Sequence, residues 1–163
     1  MNIARLLLDQ VDRETAATRK LLERVPDGRE EWKPHPKSMA LGYLSTLVAM
    51  MFGWIASIID SEYLDLATGK APTPSTAADR LAMFDQAVAS ARKALQATDD
   101  EHLMKSWQLR VGGNVVDEKL RHQMIADTIA HLAHHRGQLG VYLRLNDQPL
   151  PSVYGPTADE KWA

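Results

Sequence analysis

Apolar residues recur at helical spacing through most of the chain, and four long stretches carry the pattern. Over residues 2–25, Ile3, Leu6, Leu7, Val11, Leu21, Leu22 and Val25 mark one stripe, with Arg, Asp and Glu filling the other side. This predicts a first helix, stopped by Pro26-Asp27-Gly28. Trp32-Lys33-Pro34-His35-Pro36 cannot follow as helix, because each proline also disfavours the α region in the residue before it. Ser38 or a neighbour then caps a second helix, in which Leu41, Leu44, Leu47, Val48, Met51, Ile55, Ile58 and Ile59 leave almost no polar side. Such a helix is mostly buried.

Residues 60–74 form a polar crossover with Gly69, Pro72 and Pro74, longer than a usual helix connection. A groove wall and a mobile lid both fit it. Thr76 with Asp79 is a variant of the capping box, and Leu81, Phe84, Val88, Ala91 and Leu95 continue a third helix to Ala97. After Asp99-Asp100-Glu101 there is room for one helical turn. Trp107, Leu109 and Val111 then alternate with polar residues up to Gly112-Gly113, with Val115 and Val116 beyond, which predicts a short hairpin. The fourth helix runs over about residues 119–146. The tail, Pro149-Leu150-Pro151-Ser152-Val153-Tyr154-Gly155-Pro156, is too proline-rich for helix and too apolar for a free end, so it packs along the bundle. The expected fold is all-α: a four-helix bundle over residues 1–163 with a long middle crossover, a hairpin before helix four and a packed tail.

Composition narrows the function classes. A length of 163 residues suits one domain with one substantial core. The net charge of −2, with Lys and Arg scattered among Asp and Glu, gives no basic face for a nucleic-acid backbone. With no cysteine, any metal must use nitrogen and oxygen donors, and neither a disulfide framework nor a cysteine nucleophile is available. The first residues meet Asp9 and Asp12 before any signal-peptide core, and the longest apolar run, over residues 47–59, falls short of the ~20 residues that span a bilayer. The expectation is a cytoplasmic protein without a membrane partner.

Candidate chemistry centres on Ile129-Ala130-His131-Leu132-Ala133-His134-His135-Arg136-Gly137-Gln138-Leu139. Residues four apart share a helix face, so His131 and His135 can aim two imidazoles at one point, at the rim of an apolar arc made by Met124, Ile125, Ile129, Leu132, Leu139 and Leu143. His134 falls further round. The spacing suits a metal and equally suits two hydrogen-bonded core histidines, since a catalytic zinc takes three protein ligands plus water. Arg136 and Gln138 can grip a carboxylate, or Arg136 can anchor the tail or a dimer interface. Trp54, Trp107 and Tyr142 can wall a cleft, but aromatic residues at helical spacing usually fill the core, the role expected of Trp54, and Trp32 and Trp162 pin loop and tail. Ser38 and Thr46 have no recognisable base beside them.

Lys37-Ser38-Met39-Ala40-Leu41-Gly42, the histidine segment through Leu139, Val141-Tyr142-Leu143-Arg144-Leu145-Asn146 and Tyr154-Gly155-Pro156-Thr157-Ala158-Asp159-Glu160 together resemble the DinB-like (YfiT-like) metalloenzyme family. The likeness runs in order along nearly the whole chain. It implies a four-helix bundle, commonly a homodimer, with zinc or nickel held by three histidines, one from the second helix and two from a histidine-x-x-x-histidine pair on the fourth. Family relatives include bacillithiol and mycothiol S-transferases and a mycothiol-dependent maleylpyruvate isomerase. The two fourth-helix metal ligands map onto His131 and His135, whereas the second-helix position is Leu47.

Leu47 removes one nitrogen donor, and metal affinity should fall by several orders of magnitude unless another group replaces it. Met50 and Met51 offer only soft thioethers, His35 lies in a loop and His122 lies about opposite the pair. Asp127, one turn before His131, is an oxygen donor or an orienting partner, and water can complete a weak site. Two readings follow. One is a metal-dependent transferase or isomerase in which the ion lowers the pKa of a bound water or thiol. The other is a relative that has lost its metal and persists as a dimeric stress-response or ligand-binding protein, with a small molecule in the helix cleft. Leu47 favours the second.

Overall fold

The computed structural model describes residues 2–68, 73 and 76–161. Its elements in order are α1 (Ile3–Leu22), α2 (Leu41–Met50), α3 (Gly53–Asp60), β1 (Tyr63–Asp65), α4 (Ala77–Ala97), α5 (Asp100–Leu103), β2 (Ser106–Val111), β3 (Asn114–Leu120) and α6 (Arg121–Leu145). The all-α four-helix bundle is therefore met only in part. Helices dominate and share one core, but a three-stranded sheet in the order β1-β2-β3 packs beside them. Gly69, Pro72 and Pro74 of the crossover, together with Trp162, lie outside the described residues.

The apolar stripe of α1 packs on α4 and α6. Its free N-terminal amides are taken by Asn2, whose side chain accepts from the Arg5 amide at 2.7 Å, and by Asp100 of α5, which accepts from the Ile3 amide at 2.8 Å. The single turn expected after Asp99 is therefore an anchor for the start of α1. α4 begins on Thr76, whose hydroxyl accepts from the Asp79 amide at 3.2 Å and donates to its carboxylate at 2.8 Å, as the capping pattern predicts.

The second predicted helix departs from expectation at its start and in its middle. Ser38 does not cap it; Ala40 stands at the N-cap without a side-chain bond. The amides of Leu41 and Gly42, which have no partner within the helix, donate instead to the carbonyls of Trp32 and Glu30, each at 2.9 Å, so the proline-bearing loop folds back and caps the helix with main chain. The helix also breaks into α2 and α3 across a 48° bend, where Trp54 and Ile55 bond back three residues, to Met51 and Phe52, rather than four. Almost every side chain of α2 is buried within the chain, against α1, α4 and α6. Its all-round apolar surface is spent inside the protein.

The predicted hairpin exists. Gly112 and Gly113 take φ of 58° and 83°, the left-handed pair that a two-residue hairpin turn requires. Sequence did not reveal β1, which joins β2 in parallel with Leu64 opposite Leu109 after a connection that includes α4 and α5. The Asp65 carboxylate ties the two segments together by accepting from the Gly112 amide at 2.9 Å and the Gly113 amide at 2.7 Å. The Ala67 amide first, then those of Gly113 and Gly112, hold its pKa below the usual carboxylate value. The ladder continues to Leu120, opposite Ser106, so α6 starts at Arg121 and not at Lys119.

The tail packs along the helices as expected. Glu160 pairs with Arg24 at 2.9 Å and accepts from the Ser152 amide at 2.9 Å, while Asp159 pairs with Arg144 and accepts from the Leu150 amide at 2.8 Å. The anchor is Arg136. Its guanidinium, 3% exposed, pairs with Glu14 of α1 at 2.6 Å, donates to Thr18 at 2.9 Å and bonds the Tyr154 hydroxyl, which itself donates to Glu14 at 2.8 Å. Of the roles open to Arg136, tail anchor is the one it fills, and a carboxylate ligand has no free face of the guanidinium to meet. Trp32 likewise pins its loop, meeting Tyr142 edge-on at 5.5 Å. Arg136→Ala leaves the Glu14 carboxylate with little solvent and no cation, and should cost about 3 kcal/mol of stability in urea denaturation.

Candidate functional site

Arg136 turned toward α1 fixes the rotation of α6. His131 lies about 140° round the helix from it at ~100° per residue, and so faces α3 and the sheet. That side holds a cleft of about 430 Å³ between three surfaces, each presenting residues at its own period. α3 contributes Trp54, Ser57 and Ile58; α6 contributes Met124, Asp127, Thr128 and His131. The sheet contributes alternate residues of paired strands: Leu64 and Leu66, Trp107 and Leu109, Asp117 and Lys119. The register sets Leu64 opposite Leu109, Leu109 opposite Asp117 and Trp107 opposite Lys119. The inner face of the sheet therefore grades from apolar on β1 and β2 to charged on β3. Leu64 and Leu66, at the start of the crossover, line this cleft.

His131 and His135 do come together, with ring centroids 4.5 Å apart, but their surroundings differ. His135 is 6% exposed and bonded through Nδ1 to Gln138 Oε1 at 2.8 Å. With the Gln138 amide in that orientation, Nδ1 carries the proton and Nε2 keeps its lone pair. The amide nitrogen of Gln138 donates to Nε2 of His134 at 3.0 Å, so this side chain bridges two histidines rather than waiting for a carboxylate. His134 is exposed, as its position on the helix predicts. His131 stands at the cleft mouth, 6.0 Å from the Trp54 ring, with no hydrogen-bond partner among the described residues. Burial against the cleft wall, then the neighbouring His135 and His134, push its pKa below the ordinary histidine value. It is neutral at pH 7.

Asp127 lines the cleft one turn before His131, but its carboxylate holds Lys119 at 2.8 Å, and Lys119 also meets Asp117 at 2.9 Å. Hydrogen bonds to Asp127 and Asp117 raise the pKa of Lys119 and keep it charged. Leu47 is buried in α2, which packs on α6. No group of three or more His, Asp or Glu side chains among the described residues is placed to hold a metal ion. Two imidazoles, one buried and one at the cleft mouth, do not make the three-ligand set of a catalytic zinc. Trp54 proves half-buried and Trp107 buried, and both wall the cleft, with the Trp107 indole donating to Ser61 at 3.4 Å. Sequence reasoning missed Leu64, Leu66, Leu109, Asp117 and Lys119 as site residues. Their alternation was visible, but not that the hairpin folds back over α6.

His131 should titrate below the ordinary histidine value in an NMR pH series. His134→Gln removes one positive neighbour and should move that midpoint upward, short of the ordinary value because burial and His135 remain.

No protein-family profile matches the chain. The uncharacterized protein YrdA of Bacillus subtilis is 28% identical over 150 residues, spanning 92% of this chain and 86% of its own length. Among solved structures, the DinB-like protein YjoA of Bacillus subtilis superposes with a TM-score of 0.72 at 17% identity, over 96% of this chain and 99% of its own. A DinB-like protein from Bacillus cereus gives a TM-score of 0.72 at 22% identity, over 91% of this chain and 95% of its own. With near-complete coverage in both directions, and with six helices packed beside one small sheet among the described residues, this chain has the DinB-like fold.

Proposed function

We propose that this chain is a DinB-like family protein that binds a small apolar molecule in the cleft between α3, α6 and the sheet. In this reading the histidine pair of α6 is the remnant of a three-histidine metal site. The observation that carries the reading is the cleft itself: about 430 Å³, walled by two tryptophans and aliphatic side chains, with a few polar groups at its edge, the usual character of a small-molecule site. The donor set supports the second half, since the resemblance puts the third ligand at position 47 and a leucine stands there. Asp127 is a poor substitute while it is engaged with Lys119.

A second reading, a zinc- or nickel-dependent enzyme related to thiol S-transferases or isomerases, draws on one feature. Gln138 holds the proton of His135 on Nδ1 and leaves Nε2 as a donor atom. Zinc titration of untagged protein by calorimetry separates the two. The wild type should bind weakly, and Leu47→His should tighten binding on the order of a hundredfold or more by restoring a third imidazole. Stoichiometric tight zinc in the wild type would return the enzyme reading.

We also propose a homodimer working in the cytoplasm; no single helix among the described residues is long and apolar enough to cross a membrane. Because the surface of α2 is consumed within the chain, the dimer would draw on exposed apolar residues elsewhere, such as Val141 and Leu145 on the outer face of α6. Light scattering should give twice the chain mass, and a monomer at micromolar concentration would remove the dimer.

A further inference from the structure

The charges round the cleft determine what kind of apolar molecule it can take. Among the described residues its lining holds one permanent cation, Lys119, and two carboxylates, Asp117 and Asp127, both within 2.9 Å of that ammonium. One positive charge is thus matched and one negative charge is left over, at the β3 side of the pocket. Arg110, on the neighbouring strand, lies 4.0 Å from the ring of Tyr63 and bonds Gln108, and it does not line the cleft. Among the described residues, none in the lining offers a permanently charged, unmatched cation to a carboxylate, phosphate or thiolate. The remaining polar side chains of the lining are His131 at its mouth and Ser57 and Thr128, whose hydroxyls are committed to the carbonyls of Gly53 and Met124.

We propose that this cleft selects lipophilic organic cations, with the apolar body against Trp54 and Trp107 and the cationic group toward the Asp117–Asp127 edge. The inference rests on the reading of the cleft as a ligand site and adds the charge class of the ligand. The physical ground is that an anion must approach excess negative charge across an apolar, poorly screened surface, whereas a cation gains both that field and the negative faces of the indole rings.

Three probes of one shape and different charge test it: 2-naphthylmethylammonium, 2-naphthylmethanol and 2-naphthoate, each titrated into the whole chain by calorimetry at low ionic strength and pH 7. The neutral alcohol reports whether the cleft binds an apolar body at all. The ammonium should bind about tenfold or more tighter than the carboxylate, and the gap should close in 1 M salt, where exposed charges are screened within about 3 Å. Asp127→Asn, at an exposed position, should shrink the gap to less than about threefold by cancelling the excess charge. Alcohol binding with the carboxylate as tight as the ammonium would overturn the charge preference and leave the cleft as a binding site. If none of the three binds, the cleft reading falls and this inference falls with it. The salt dependence of the wild type decides the matter independently of how the variant folds.

Discussion

A guanidinium removed from water has to be paired, and the structure is arranged round that demand at Arg136. With 3% of its side chain exposed, it needs Glu14 of α1 on one side and Tyr154 of the tail on the other. Two separate segments are thereby fixed to one point of α6. Because a helix is rigid about its axis, fixing one residue fixes the bearing of all others. Met124, Asp127, Thr128 and His131 are then obliged to look the opposite way, into the space between α3 and the sheet. The polar network that closes one side of α6 is the reason the other side can remain an open cleft.

That division gives the three histidines different characters, although they fall within a span of five residues. His134 is in solvent. His135 lies between the two sides, buried and oriented by Gln138. His131 reaches the cleft and stays neutral because charging it would oppose both burial and its neighbours. A metal centre would need these differences overridden by a third donor held on another element, and the second helix supplies hydrocarbon at the expected position. The pair is well placed geometrically and under-supplied chemically.

How much of this was legible in the sequence follows from how local each signal is. Helix α1, the Thr76 cap, the glycine-glycine turn and the packed tail are written in neighbouring residues and were read correctly. The convergence of His131 and His135 follows from helical spacing, and the departure of His134 does too. The bend between α2 and α3 was hidden, because Gly53 sits in an apolar run that also reads as continuous helix. β1 was hidden more deeply: its three residues pair with a strand more than forty positions later, and nothing local announces a parallel partner. The cleft depended on that pairing, so its sheet wall stayed invisible while its helical wall was named. Ser38 misled because a serine before an apolar run ordinarily signals a cap.

The way α2 begins has a consequence for variation. Its first two amides are satisfied by the carbonyls of Trp32 and Glu30, groups that every residue type possesses. The chemistry of the cap is therefore indifferent to which side chains occupy those positions, and what must persist is the path of the chain that delivers the two oxygens. Pro34 and Pro36 restrict that path. Apart from Trp32, whose ring holds the loop against Tyr142, drift in this region should therefore be free in side-chain identity and narrow in backbone shape, so that inserting or deleting one residue there harms the entry to the core helix more than most exchanges of one residue for another.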